Sequence, residues 1–183
     1  MWNWHPFKLV ALSATVLTLS ALGAEEPTQT VEVDGLSFQA PASWKKTQPT
    51  SAMRRAQMTI ASDQGGAGPA ELVVFVFPGG AGTVQQNVER WERQFKDKQG
   101  NPVKAETSKQ KGKNVDVTRV EVAGTYTDPF SRKGPQPDHR LLAAIAQTDQ
   151  AAYFVRLVGP EKTVSAAKPA FDDLIKSMSI SGK

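Results

Sequence analysis

The stretch Leu72-Val73-Val74-Phe75-Val76-Phe77 is apolar at every position. Because successive side chains of a strand point to opposite faces, this run predicts a central strand that is covered on both sides. The residues that follow, Pro78-Gly79-Gly80-Ala81-Gly82, are typical of a turn and end the strand. We therefore expect a sheet that is covered on both faces at this strand.

A helix is predicted directly after this turn. Thr83 and Gln86 have the spacing of a capping box, which places the start of the helix. An apolar stripe at helical spacing follows and is expected to pack on the central strand, with Glu92 on the opposite side of the helix. The stripe consists of Val84, Val88, Trp91 and Phe95.

Alternating apolar residues predict further strands. Val31 and Val33 alternate with polar residues before Asp34-Gly35, and the alternation resumes from Leu36 to Ala40. Asp and Gly tolerate the positive φ of a two-residue turn, so this pattern is a strong hairpin signal. Three more strands are predicted at residues 56–60, 141–146 and 151–158.

The apolar pattern between residues 115 and 126 changes phase. Val115 and Val117 occupy one parity, whereas Val120 and Val122 occupy the other. A strand cannot bury both sets on one face unless a residue is inserted. We therefore predict a bulge near Thr118-Arg119.

The chain is predicted to end in an amphipathic helix that opens at Pro160. Pro169 interrupts it, and a proline costs about 3 kcal/mol inside a helix. The apolar stripe keeps its phase across Pro169, which favours one bent helix over two. The stripe consists of Val164, Ala167, Phe171, Leu174, Ile175 and Met178.

These elements together predict an α+β fold. Strands outnumber helices and most of the links between them are short, which favours a largely antiparallel twisted β-sheet with an internal and a C-terminal helix packed on it. The sequence divides into a signal peptide at 1–24, a polar leader at 25–30 and a single domain at 31–183.

The first 24 residues have the three parts of a secretory signal peptide. Lys8 precedes the uncharged, largely apolar run 9–22, and small residues close it at Ala21-Leu22-Gly23-Ala24. The run is too short to cross a bilayer, which takes roughly 20 apolar residues. Since the chain has no cysteine, it cannot be a lipoprotein. We therefore expect a periplasmic or extracellular protein that does not span the membrane after cleavage.

Composition and motifs argue against several functions. The formal net charge is +4, and the lysines at residues 104–113 have no aromatic neighbours of the kind that stack on nucleic acid. The glycine-rich turn after Phe77 lacks the lysine of a phosphate-binding loop. His139 is the only histidine after the predicted cleavage, too few for a zinc site without cysteine. The sequence therefore predicts no cofactor, no metal, no catalytic residue and no nucleic-acid partner.

The stretch Leu36-Ser37-Phe38-Gln39-Ala40-Pro41-Ala42-Ser43-Trp44 is similar to the F-x-x-P-x-x-W opening of the PsbP-like superfamily. The end of the chain is similar too, with two apolar strands before a helix that carries Phe171 and Ser177. The resemblance covers about Val31 to Ser179 and implies the αβα sandwich of that superfamily. It also implies a non-enzymatic accessory or binding protein, because the superfamily has no shared catalytic motif. The chain differs from the plant photosystem subunit of this superfamily, because it has no recognisable tail or lysine pattern for docking on a photosystem. The resemblance therefore does not imply that role.

The loop at residues 127–138 is the candidate interaction site. It is long for a connection between strands and is stiffened by three prolines. Long ordered loops on rigid scaffolds often hold binding function, although a plain surface loop is the alternative. The candidate residues in and beside it are Tyr126, Phe130, Arg132, Lys133 and His139.

Two binding functions stay open at the level of sequence, beside a hydrolase or other enzyme, for which the mature chain offers few titratable groups that could converge in a cleft. The first is a non-enzymatic accessory or binding protein whose partner is an envelope protein or a small ligand. The second is a small-molecule or lipid carrier, which needs an apolar pocket of roughly 300 Å³ or more between the sheet and the helices. The sequence names neither the partner nor the ligand.

Overall fold

The computed structural model describes Met1 and residues 26–62, 67–129, 131 and 133–181. Apart from Met1, the predicted signal peptide lies outside the described residues. Within the described part of the chain, no helix is long and apolar enough to cross a membrane.

The described residues form strands and three short helices in the following chain order: β1 (Thr28–Val33), β2 (Leu36–Pro41), β3 (Lys45–Lys46), β4 (Ala56–Ile60), β5 (Ala70–Pro78), α1 (Val84–Glu92), β6 (Phe95–Lys96), β7 (Glu106–Lys111), β8 (Asp116–Tyr126), β9 (Gln136–Gln147), β10 (Ala151–Pro160), α2 (Glu161–Ala166), α3 (Lys168–Ser177) and β11 (Ser179–Ile180).

The strands form one large and one small antiparallel sheet. The large sheet has the order β3-β4-β5-β10-β9-β8-β6, and β7 pairs with β8. The small sheet has the order β1-β2-β11. One face of the large sheet shares a core with α2, α3 and the small sheet, and the other face packs against α1. The predicted α+β class, with an internal and a C-terminal helical segment on a largely antiparallel sheet, is confirmed.

The predicted hairpin at Asp34-Gly35 is present. Val33 pairs with Leu36, and Asp34 and Gly35 have φ angles of 46° and 84°. Two positive φ angles in a two-residue turn match the right-handed twist of the flanking strands. The first strand of this hairpin begins at Thr28, so the last three residues of the predicted 25–30 leader belong to β1.

The prediction of a bulge near Thr118-Arg119 is wrong. The β8–β9 register runs without a break from Val117 to Gly124, and the irregularity lies between Gly124 and Tyr126. Val117 packs in the core beneath α2 and α3, whereas Val120 packs in the core beneath α1. Because both faces of β8 are covered, both parities are buried without an inserted residue.

The helices also differ in detail from the prediction. The first ends at Glu92, so Phe95 is buried from β6 rather than from the helix. The C-terminal segment is two helices that meet at Ala167, instead of one bent helix. Pro169 lies in the first turn of α3, where its missing N–H breaks no intrahelical hydrogen bond. The predicted apolar stripe is buried throughout this segment.

Glu92 does not face solvent as expected. Its side chain is 11% exposed, and its carboxylate accepts hydrogen bonds from Lys104 Nζ at 2.8 Å and the Ala105 backbone N–H at 3.0 Å. Burial opposes ionisation, but the bonds from Lys104 and Ala105 outweigh it and hold the pKa of Glu92 below its usual range. Glu92 therefore fixes the segment after residue 102 to the end of α1.

Candidate functional site

Two of the five predicted loop residues lie together. Tyr126 ends β8, and its buried ring lies nearly parallel to the His139 ring, with 6.2 Å between centroids and 15° between planes. Phe95 packs on the same tyrosine with 5.0 Å between centroids. The His139 Nδ1 atom lies 2.8 Å from the Pro137 carbonyl oxygen. The pair therefore closes the base of the loop instead of projecting from it.

The other predicted loop residues are placed only in part. Lys133 is exposed, and its backbone N–H donates to Ser131 Oγ at 3.1 Å. Phe130 and Arg132 lie outside the described residues. Of the predicted interaction loop, the structure thus unites Tyr126 with His139 and leaves Lys133 apart from them on the surface.

Arg156 joins the base of this loop to α1. Its guanidinium carbon lies 5.5 Å from the centre of the Trp91 ring, and its Nη2 donates to Gln94 Oε1 at 3.2 Å. Tyr126 lies close enough to Arg156 for the two side chains to affect each other's ionisation. Burial lowers the pKa of Arg156, while the neighbouring Tyr126 and Asp128 act against this shift. Burial raises the pKa of Tyr126, so its hydroxyl stays protonated at neutral pH.

This arrangement is structural in its chemistry. The Thr127 backbone N–H donates to the Gln94 carbonyl at 2.8 Å, which fastens the start of the loop beside Arg156. The Arg156 guanidinium contacts the Trp91 ring and the Gln94 side-chain amide. These contacts hold the start of the loop in place, and the His139 ring contacts Tyr126 and the Pro137 carbonyl oxygen.

A second charged cluster lies on the opposite face of the large sheet, beneath α2 and α3. The Glu121 side chain, which is 6% exposed, accepts hydrogen bonds from Arg119 Nη1 at 2.9 Å, from Lys168 Nζ at 2.8 Å and from Arg140. Two acids complete the cluster, since Asp172 Oδ1 lies 2.7 Å from Arg119 Nε and Glu161 Oε1 lies 2.5 Å from Arg140 Nη2. We call these six residues the Glu121 cluster.

The electrostatics of this cluster are balanced. It contains three cations and three carboxylates. Burial opposes the ionised form of Glu121, but the bonds from Lys168 and Arg119 outweigh it and hold the pKa of this carboxyl below its usual range. Among the described residues, no group of three or more His, Asp or Glu side chains is placed to hold a metal ion. The cluster therefore fastens α2 and α3 to the sheet.

A groove with a volume of about 600 Å³ lies at the end of β5. Met53 stands at its rim and is 62% exposed. The residues that line it come from four parts of the chain: Asp34, Ala52, Met53, Arg55, Val76, Phe77, Pro78, Ala151 and Tyr153. We call it the Met53 groove.

Hydrogen bonds fix the polar end of this groove. Arg55 Nε and Nη2 donate to the two carboxylate oxygens of Asp34 at 2.5 and 2.9 Å. The Tyr153 hydroxyl donates to the Asp34 carbonyl at 3.2 Å. Because Asp34 and Arg55 pair with each other, the polar end of the groove carries no net charge. The remaining lining is largely apolar.

A smaller groove of about 380 Å³ lies between α1 and residues 102–104. Phe95 and Val103 line its floor, and Arg93, Lys96 and Lys104 stand at its rim. The space between the large sheet and α2 and α3 is filled by side chains such as Leu142, Val155 and Phe171. Both grooves therefore lie at edges of the molecule, away from the position expected for a carrier pocket.

The residues of the Met53 groove are not predicted from the sequence. Met53 alone carries a signal, since it is the one large apolar side chain in the segment 49–55. The other lining residues have no distinctive pattern in the sequence. They come together only because β5, β10 and the β1–β2 hairpin meet in the fold.

No protein-family model and no curated protein sequence matches this chain. Solved structures do resemble it. Cyanobacterial PsbP (CyanoP) of Synechocystis sp. PCC 6803 superposes with a TM-score of 0.54 at 14% identity, over 87% of this chain and 95% of that protein. The chain has the PsbP-like fold.

Two further structures share the PsbP-like fold. PA94 of Pseudomonas aeruginosa superposes with a TM-score of 0.52 at 12% identity, over 85% of this chain and 99% of that one. LpqN of Mycobacterium tuberculosis, which is involved in cell envelope biogenesis, gives 0.53 at 7% identity, over 85% of this chain and 86% of its own. At these identities the likeness shows the fold alone.

Proposed function

We propose that this chain is an exported, non-enzymatic accessory protein that binds a partner protein of the cell envelope through the Met53 groove. The observation that carries the proposal is a half-exposed methionine at the rim of an open apolar groove. Contiguous apolar surface in contact with solvent marks interaction sites, and Met53 continues the apolar lining that Val76, Phe77 and Pro78 provide.

The chemistry of the groove favours a protein over a small molecule. Small-ligand sites bury 70–90% or more of their ligand, whereas Met53, which lines this groove, is itself 62% exposed. Aromatic residues, methionine and arginine are enriched at the centres of protein interfaces. Phe77, Tyr153, Met53 and Arg55 supply these types here. The carrier hypothesis has less support, because core side chains fill the space between the sheet and the helices.

The proposed location and the absence of catalysis have separate support. Export is inferred from the pattern of residues 1–24. An envelope role also agrees with LpqN, which shares the fold and takes part in cell envelope biogenesis; this is an analogy of fold. A non-enzymatic role agrees with the charges beneath α2 and α3, which are engaged in mutual ion pairs.

Site-directed photo-crosslinking tests this function. A photo-crosslinking amino acid replaces Met53 in the full-length protein, and a control variant carries it in place of Lys162, which is exposed on α2. After irradiation of the envelope fraction, we expect one discrete protein adduct from position 53 and none from position 162. The protein recovered from that fraction should begin at Ala24 or Glu25 by mass spectrometry.

Two results would contradict the proposal. If position 53 gives no protein adduct, or gives the same adducts as position 162, the groove is not a specific binding surface. If the recovered protein retains Met1, it is not processed by a signal peptidase.

A further inference from the structure

The strand β5 extends beyond the strand beside it. β4 begins at Ala56, which pairs with Val74, whereas β5 continues to Pro78. Over residues 75–78, β5 is paired with β10 on one side. On the other side the preceding chain turns away, since the Arg54 N–H donates to the Ser51 carbonyl at 3.1 Å. In the described part of the chain, this end of β5 therefore has a neighbouring strand on one side only.

The backbone groups of this free edge point into the Met53 groove. The Arg55 N–H donates to the Val74 carbonyl at 2.8 Å, so Val74 directs its backbone groups toward β4. The Gly79 N–H donates to the Gln150 carbonyl at 2.8 Å, so the odd-numbered residues face β10. Since alternate residues of an antiparallel strand face the same neighbour, the N–H and C=O of Val76 face the side where β4 has not begun. Val76 also lines the groove.

Side chains on either side of this edge form apolar walls. Met53 stands across the groove from β5, and Tyr153 pairs with Val76 on the opposite side of the strand. The paired Asp34 and Arg55 close one end without leaving an uncompensated charge. A chain segment laid along β5 would meet a hydrogen-bonding edge and a place for an apolar side chain.

We propose that the Met53 groove binds an uncharged, extended segment of a partner protein, which adds as a short strand to the free edge of β5 at Val76. In strand addition, main-chain hydrogen bonds provide affinity and pockets for alternate side chains provide specificity. An exposed strand edge is a template for such pairing. The proposal rests on the proposed function, because it specifies how the partner of that groove is recognised.

Peptide selection with backbone modification tests this mode of binding. Twelve-residue peptides are selected from a random library on the immobilised mature protein, and each peptide is then remade with single N-methylated amides along its length. We expect methylation at alternate positions to weaken binding by about tenfold and methylation at the intervening positions to have little effect. Bound peptide should also slow hydrogen exchange of the Val76 amide.

Two variants separate the binding mode from the proposed function. Met53→Asp should abolish peptide binding, while Gln85→Asp, the same change of charge at an exposed position of α1, should leave it unchanged. If Met53→Asp abolishes binding but the methylation scan shows no alternation and Val76 exchange is unchanged, strand addition is refuted and the groove function stands. If no peptide binds, or binding is insensitive to Met53→Asp, both proposals fail.

Discussion

Replacing Glu121 with glutamine tests how the two helices are held on the sheet. The Glu121→Gln change keeps the shape of the side chain and removes the charge that faces Arg119, Arg140 and Lys168. Removing one partner of a buried ion pair typically costs 3–5 kcal/mol, because an uncompensated charge is left behind. Arg119 keeps Asp172 and Arg140 keeps Glu161. We therefore expect the lower end of that range, about 3 kcal/mol.

Urea unfolding at pH 7 measures this loss. The unfolding free energy falls by about 2 kcal/mol per molar urea, so a loss of about 3 kcal/mol lowers the urea midpoint of unfolding by about 1.5 M. The matched control is Glu106→Gln, which removes the same group from the exposed strand β7 directly opposite Glu121. A surface change of this kind should stay within about 0.5 kcal/mol.

The effect should also depend on pH in one direction. The pKa of Glu121 is lower in the folded protein than its usual value, because Lys168 and Arg119 favour the carboxylate more strongly than burial opposes it. Its contribution to the unfolding free energy is therefore present above the pKa of the unfolded chain, about 4.3, and is lost as the pH falls through the folded value. The difference between wild type and Glu121→Gln should shrink below about pH 4. A loss under about 1 kcal/mol at pH 7, or a loss that persists undiminished in acid, would refute this account of the cluster.

Two further changes test the packing of the α1 face. Trp91→Ala removes a ring that is 3% exposed and should lower the unfolding free energy, measured with urea, by about 3–5 kcal/mol. The control Gln85→Ala, on the exposed side of α1, should change it by under about 0.5 kcal/mol. A neutral Trp91→Ala would mean that α1 does not cover the sheet. Gly124→Ala places a Cβ against the Lys96 carbonyl oxygen at a φ of 151°. It should lower the thermal midpoint by several degrees, a loss of more than about 1 kcal/mol. Gly134→Ala, with open space around it, is its control, and equal midpoints for the two variants would contradict the close approach.

Local signals account for the parts of the fold that the sequence predicts well. The Asp34-Gly35 hairpin and the capping box of α1 depend on neighbouring residues alone, and both are present as predicted. The bulge prediction failed because it assumed that β8 buries a single face. The faces of a strand are covered by layers that come from distant segments of the chain. The alternation of Val117 and Val120 along β8 does not show whether such layers lie on one face or on both.

The candidate sites were harder to predict for the same reason. Glu121 meets Lys168 only because α3 returns over β8, 47 positions later in the chain. The length and prolines of the loop predict an interaction site. They do not show that the Tyr126 ring is buried near Arg156. The Met53 groove joins four separate segments, so no contiguous motif marks it.

The distribution of contacts explains why binding is best sought at the end of β5. The Glu121 cluster fixes α2 and α3 to one face of the large sheet. On the other face, Arg156 lies at the base of the loop predicted at 127–138, which ends at residue 135 because β9 already begins at Gln136. The charged groups of both arrangements are buried or half-buried and contact other residues of this chain, so they are not displayed to a partner. At the end of β5, by contrast, a strand edge and an exposed methionine remain on a scaffold that packing keeps rigid. A rigid edge loses little conformational entropy when a second chain pairs with it, and preorganisation of this kind favours affinity.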